Sequence, residues 1–273
     1  MSGAGTRVHG VAEIGFAVRD GQTRLCHLYE RNPLRVKFPH GDVPTAAVVT
    51  TSGGLVAGDR IDLRVNLDEG AAAHVTASAA EKVYRSLGAG TIVEQRLAVG
   101  TGARLEFLPQ ETILFDAARL RRTTTVELGD AAQFLGGGIV VFGRRARGEA
   151  FTTGLLREVW EVHRNGRLIW GDALHIDGDV RDIMADPACF GGAAACATLI
   201  LAVPDPAPLI DGARAVQGKS PVRSGATVVN GLLVARWLGD DALALRRAYA
   251  DLACHLRAAA MGLPPRLPAL WHI

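Results

Sequence analysis

The chain has 273 residues, with 30 basic and 28 acidic side chains, a net charge of +2 and 48% hydrophobic residues. It is too apolar and too balanced in charge to be disordered, and it lacks the basic excess of a nucleic-acid-binding protein. At ~150 residues per domain the length allows one or two domains, enough to bury a core without disulfide or metal staples.

The four cysteines, Cys26, Cys189, Cys196 and Cys254, form no C-x-x-C pair. Neither a disulfide framework nor a zinc site is indicated. The N-terminal residues lead into no apolar run, and the longest such run, Ala193 to Val203, falls short of the ~20 residues a membrane span needs. A cytoplasmic protein that does not enter the membrane is the expectation.

Strand signals dominate the first two-thirds. Ile61, Leu63, Val65 and Leu67 alternate with polar residues, as on a half-buried strand. A short helix is predicted around Ala79 to Arg85. Val93, Leu97 and Val99 precede Gly100 and Gly102, and Leu105 and Phe107 alternate with Arg104 and Glu106. Arg122 to Val126 is β-branched. Asn165-Gly166 predicts a type I′ hairpin turn, since both central residues need φ > 0. Pairing Arg164 with Arg167 sets His163 opposite Leu168, Val162 opposite Ile169 and Glu161 opposite Trp170. Apolar residues then fall on both faces, which predicts a hairpin covered on both sides.

Cys196 to Val203 reads as a buried strand, Pro204 to Pro208 as a loop and Ala226 to Trp237 as one further strand. The convincing helix follows Asp240 as N-cap, with Leu245, Tyr249, Leu252, Leu256 and Ala259 on its apolar face. Arg246, Arg247 and Arg257 lie outside that stripe. Gly262 and Pro264-Pro265 end it. Regularly spaced short strands with one late helix make a mainly β protein. A parallel α/β fold needs helical crossovers, for which residues 55–175 leave no room. No 20–50-residue repeat is visible, although strand–glycine-turn units recur. The 32 glycines exceed the ~7% average usage and fall mostly beside strands, at Gly53, Gly54, Gly58, Gly70, Gly100, Gly102 and Gly166. Gly136-Gly137-Gly138 has no evident reason.

Three segments bear on chemistry. Gly212 to Ser220 approximates a P-loop, but five residues separate the glycines where four are required, and Pro221 follows at once. A nucleotide-binding enzyme using residues 212–220 is the alternative function. Asp172, His175, Asp177, Asp179, Asp182 and Asp186 form an acidic segment, read as a solvated loop after the hairpin or as a divalent-ion store. The eight histidines are scattered, none four residues from another.

Four blocks are distinctive together: Ser52 to Asp59 (SGGLVAGD), Ala80 to Ser86 (AEKVYRS), Leu108 to Phe115 (LPQETILF) and Phe142 to Glu149 (FGRRARGE). With Asn32-Pro33-Leu34-Arg35 upstream and Pro264-Pro265-Arg266 near the end, their order and spacing resemble the UreD family of urease accessory proteins, called UreH in some organisms. The resemblance covers about residues 25–270. It implies a single domain over residues 1–273, with 1–24 either a less ordered start or a first strand. It also implies a β-helix-like stack of short strands with few helices, one near the C-terminus.

The function implied is non-enzymatic. With a second accessory protein of UreF type and a GTPase of UreG type, such a protein docks on apo-urease and assists nickel insertion and formation of the carbamylated lysine. Nickel is then transient cargo, with no tightly bound cofactor. A β stack can enclose a water-filled polar tunnel that binds the ion weakly, since a tight site would trap it. Within the blocks, Asp59 either lines a polar passage or caps its turn. Glu111 needs a partner such as Arg144 or Arg145. Asp59, Glu111, Asp177 and Asp179 are the nickel-passage candidates, and Tyr84, Arg85, Arg144 and Arg145 the partner-binding candidates. The chain departs from the usual pattern at Ala57, at Glu81 (commonly a small polar residue), at Gly136-Gly137-Gly138 and in its longer C-terminal ending.

Overall fold

The computed structural model describes residues 7–86 and 88–272. Of the start region 1–24, residues 1–6 lie outside the described residues, and β1 (His9–Arg19) with the beginning of β2 (Gln22–Arg31) accounts for most of the rest. The chain then alternates between two sheets. β5 (Arg60–Leu67), β8 (Thr91–Val99), β11 (Arg119–Leu128) and β13 (Thr153–Arg164) lie parallel beside β1 in the first sheet. β4 (Thr45–Thr50), β6 (Ala72–Ala77), β9 (Arg104–Phe107) and β12 (Gln133–Phe142) lie parallel in the second. Short β7 (Glu81–Val83) and β10 (Thr112–Leu114) extend that second wall. The result is a mostly-strand, β-solenoid-like stack of about 4 turns. Parallel neighbours need a crossover, and here the opposite sheet supplies it in place of a helix.

Both sheets end in antiparallel strands. β2 and β14 (Arg167–Asp179) flank the first sheet. β3 (Leu34–Lys37) flanks the second at one end; at the other, β15 (Ala195–Ala202), β17 (Leu232–Gly239) and β16 (Arg223–Val229) follow β12.

The two edges of the stack differ. One has tight corners, after Leu67, Val99 and Leu128. Each corner ends in a fully buried alanine, Ala71, Ala103 or Ala132. The corners hydrogen-bond to one another, Gly70 N–H donating to the Thr101 carbonyl and Gly102 N–H to that of Asp130. A Cβ on Gly129 would sit 2.8 Å from the Thr101 nitrogen, so only glycine allows this stacking. This is the internal repeat that the sequence conceals, because only a small-residue corner recurs. The other edge has longer corners at residues 51–59, 84–90 and 143–152, with one short corner at 115–118.

Apolar parity builds two cores. Ile14, Leu63, Val65, Leu97 and Leu105 fill the space between the sheets. On the outside of the second sheet, Leu199 and Trp237 pack against Tyr249, Leu252 and Leu256 of α3 (Ala242–Met261). Gly137 faces this helix: a Cβ there would lie 2.0 Å from the Thr198 carbonyl oxygen and 2.9 Å from the Tyr249 hydroxyl. Close approach of helix to sheet thus requires the middle glycine of the triplet.

Several local expectations change. Ala79 to Arg85 is not helical; Glu81–Val83 pairs with β10 as a strand. The hairpin turn forms at Asn165-Gly166, with φ of 51° and 74°. A bulge beyond His163–Leu168 moves Val162 opposite Trp170 and Glu161 opposite Gly171. β14 is a mostly exposed edge strand, not one covered on both sides. The segment 226–237 is a second Asn-Gly hairpin, turning at Asn230-Gly231. Asp241, not Asp240, caps α3, accepting from the Leu243 N–H at 2.8 Å.

Arg257 is buried at 2% side-chain exposure, against the expectation that it lies outside the apolar stripe. Its guanidinium donates to Glu106 at 2.7 Å, to Asp42 at 2.9 Å and to the carbonyls of Pro264 and Arg266. Glu106, expected on a solvent face of its strand, is buried with it. Burial pushes that carboxyl up, but His74 and Arg257 outweigh burial and hold it below its ordinary value.

Candidate functional site

Parallel registration carries inward-facing side chains from coil to coil. Ile61, Val93, Arg122 and Glu158 stand in one row across the first sheet, and Leu63, Gln95, Thr124 and Trp160 in the next. Polar groups therefore enter the space between the sheets. Thr124 donates to Gln95 at 2.8 Å. Arg122 Nε donates to both Glu158 oxygens at 2.9 Å, and its Nη1 to the Thr112 hydroxyl at 2.7 Å.

Gln95, Thr112 and Arg122 stand in the wall of a chamber of about 210 Å³, with Thr50, Glu81 and Gln110 as further polar wall residues; Glu158 lies behind Arg122 and does not line it. Gly53 and Lys82, both exposed, also line it, so it reaches the surface at the broad-cornered edge. A second cavity of about 10 Å³ continues beyond Arg122, between Gln95, Gly138 and Trp160. One water needs ~10–15 Å³ of such volume. The chamber thus has room for a group of waters and the continuation for at most one. Glu81 accepts a hydrogen bond from the Thr50 hydroxyl, and burial raises its carboxyl above the ordinary range.

The surface beside the mouth gathers parts of all four distinctive blocks. The Tyr84 hydroxyl donates to the Gly53 carbonyl at 3.1 Å, and its ring meets Phe115 edge-on at 4.8 Å. The Arg144 guanidinium lies 4.2 Å over the Phe115 ring and pairs with Glu149. That pairing holds Glu149 below the usual carboxylate range. Arg85 is exposed and its backbone bridges to Ala118. Arg145 is exposed beside Arg144. The four partner-binding candidates thus share one aromatic and basic surface.

The four nickel-passage candidates do not gather, and none lines the chamber or its continuation. Asp59 is buried as a corner cap, accepting the Val56 N–H at 2.9 Å and the Val8 N–H at 3.2 Å. Glu111 lies 3.5 Å from Arg246 on α3, not against Arg144 or Arg145. Asp177 pairs with Arg119. Asp179 pairs with Arg181, which holds its carboxyl down at about 2. The acidic segment is not a loop: Asp172 to Asp179 run along β14, and Asp182 sits in α1 (Arg181–Ala185). Among the described residues no three His, Cys, Asp or Glu side chains are grouped to hold a metal ion.

The P-loop-like segment is also reassigned. Residues 210–217 form α2 (Ile210–Gln217), and Gly212 packs against the His255 ring. The N–H groups of Gly218, Lys219 and Ser220 donate to Arg214, Val216 and Gln217. Donors spent on the chain cannot cradle phosphates.

Glu81, Arg122 and Glu158 are the site residues that sequence reasoning missed. A signal was present for the last two. Arg122 shares parity with Leu120, Val126 and Leu128, and Glu158 with Leu156, Trp160 and Val162, so each is a charge at an apolar position.

The chain matches the family model described as UreD urease accessory protein over residues 8–272. The chain belongs to the UreD family of urease accessory proteins. A relative named urease accessory protein UreD from Magnetococcus marinus is 47% identical over 97% of this chain and 94% of its own length. One from Azorhizobium caulinodans is 39% identical over 99% of both. Another, from a Methylobacterium species, is 41% identical over 93% of this chain and 90% of its own. Family membership supports a role in urease maturation. Among the described residues no helix is long and apolar enough to cross a membrane.

Proposed function

We propose that the chain is a non-catalytic urease maturation factor that docks on apo-urease with the other accessory proteins and passes nickel toward the active site. The observation that supports this most is the chamber between the sheets, whose wall carries Thr50, Glu81, Gln95, Thr112 and Arg122. It opens at the surface, has room for several waters and offers a single carboxylate, Glu81. Lone carboxylates with waters bind a divalent ion weakly, as a carrier that must release its cargo requires. Nickel is therefore cargo, travelling by way of Glu81 and the Arg122–Glu158 pair and not by way of Asp59, Glu111, Asp177 and Asp179. The basic and aromatic surface of Tyr84, Arg85, Arg144 and Arg145 borders the chamber mouth. It suits an accessory partner of UreF type, with the UreG-type GTPase and apo-urease completing the assembly.

The test uses cells expressing a complete urease operon at limiting nickel. A Cβ on Gly138 meets nothing nearer than Arg122 Nη2 at 4.0 Å, so the side chain of Gly138→Leu starts without a clash and points its bulk at the narrow continuation. Soluble, folded Gly138→Leu protein is expected to co-purify with its partners yet leave urease inactive. Full urease activity in that strain would refute the passage.

A further inference from the structure

We propose that Arg122 is a tethered counter-cation: its guanidinium occupies the place of the divalent cargo on Glu158 and closes the passage until an arriving ion displaces it. The inference rests on the reading of the chamber as a route for a divalent cation.

Three observations carry it. Arg122 is the basic residue that lines both the chamber and its continuation, so it stands at their junction. Its fork covers both Glu158 oxygens, with a third contact from Nη2 at 2.8 Å, so Arg122 stands between that carboxylate and the chamber, and Glu158 itself lines neither cavity. The pair is little exposed, at 12% and 10% of the side chains. A buried ion pair is seldom more stable than apolar residues of the same volume. Stability alone therefore gives no reason to keep a charged pair in this row, whose other members are Ile61 and Val93.

A divalent ion entering past Glu81 changes the balance. It attracts Glu158 with twice the charge of the guanidinium and repels Arg122. The arginine has a long, flexible stem and needs only to release Thr112 and swing toward the vacated chamber. The carboxylate then holds the ion at the junction, and the way past Gly138 opens. When the ion moves on, Arg122 returns and restores neutrality. A monovalent ion gains on Glu158 only what the departing arginine loses, so the device favours divalent cargo. It also keeps binding weak, because each bound ion must first break a bidentate pair. The nearby Cys196 thiol offers no competing thiolate. Burial first, then the Glu158 charge, pushes it up to about 12.

The test is calorimetric titration of the full chain with nickel(II) chloride at pH 7, with folding checked by circular dichroism. Arg122→Gln frees Glu158 and is expected to tighten nickel binding about tenfold or more. Glu158→Gln and the double variant Arg122→Met/Glu158→Leu are expected to remove that gain. Arg122→Lys, which keeps the cation without the fork, covers the case in which Arg122→Gln does not fold, and is expected to tighten binding less. In cells, Arg122→Gln should lower urease activation because the ion is retained. Parental nickel affinity in both Arg122→Gln and Arg122→Lys would overturn the gate. If Gly138→Leu still blocks activation in that case, the passage stands and only the gate falls. If Gly138→Leu leaves activation whole, the passage itself falls, whatever the titrations give.

Discussion

The tight-cornered edge and the broad-cornered edge of the stack are built from the same coils and do opposite work. At the tight edge, Gly70, Gly100, Gly102 and Gly129 let successive corners bond backbone to backbone. Side chains there, Asp68, Glu69, Thr101 and Asp130, point outward and are exposed, while the backbone holds the coils in register. At the broad edge the corners carry Tyr84, Arg85, Phe115, Arg144 and Glu149, and the chamber opens beside them at Gly53 and Lys82. Three of the four family blocks lie on or run into that edge, and the fourth, Leu108 to Phe115, ends in its Phe115 corner. The lesson is a division of labour. A regular edge fixes coil spacing, so an irregular one is free to carry recognition.

The sharpest way to break this comparison is Gly129→Val. Its Cβ would press on the Thr101 nitrogen at 2.8 Å and the Gly100 carbonyl carbon at 3.1 Å. A loss of about 1–3 kcal/mol is expected, as for overpacked sites, measured by thermal denaturation. Urease activation per folded molecule should be unchanged. Next is Asp59→Ala, the buried cap that the broad edge does depend on. Leaving the Val56 and Val8 N–H groups without their acceptor should cost about 1–3 kcal/mol, read from chemical denaturation. A neutral result would mean that water replaces the cap and that this corner is not held by it.

Glu81→Gln has a smaller effect that depends on pH. Burial raises the folded carboxyl above its ordinary 4.5. The folded state therefore binds more protons than the unfolded state between that value and the raised one, and stability falls as pH rises through the window. The amide removes this loss and can still accept from Thr50. Melting temperatures of variant and parent should coincide near pH 4 and diverge toward pH 7, with the variant higher. A constant difference across pH would show that the carboxyl is not penalised by the chamber. The smallest stability change is expected for the exposed Arg144→Ala. Its effect should appear instead as reduced co-purification with the accessory partner. Undiminished capture would detach the basic surface from partner binding.

Much of the fold was legible. The alternation Ile61 to Leu67, the turn at Asn165-Gly166 and the helix ending at Gly262 all report local physics, namely parity, positive φ and a helix cap. Parallel pairing was hidden because it depends on which strands meet, not on what any strand contains. Glu81–Val83 shows the limit from another side. Three residues carry no period, and only β10 alongside makes them a strand. The chamber residues were half legible, since Arg122 and Glu158 break an apolar parity. That they oppose one another is a matter of register, which no single strand encodes. Asp59, chosen from its block, was hard to place for a related reason. A carboxylate beside glycines serves a corner as readily as a cavity, and Asp59 serves the corner.

The antiparallel strands at both ends have a further consequence. β2 and β14 bound the parallel run of the first sheet, and β3 and β15 that of the second, so each parallel run ends in antiparallel pairing. Between those ends every coil contributes the same rise, ~4.8 Å. The proposed route from Glu81 past Arg122 to Gly138 crosses successive coils and would therefore be a ruler with fixed graduations. Its length would change only by whole steps, when a coil is inserted or lost between the two ends, and the end strands need not change with it.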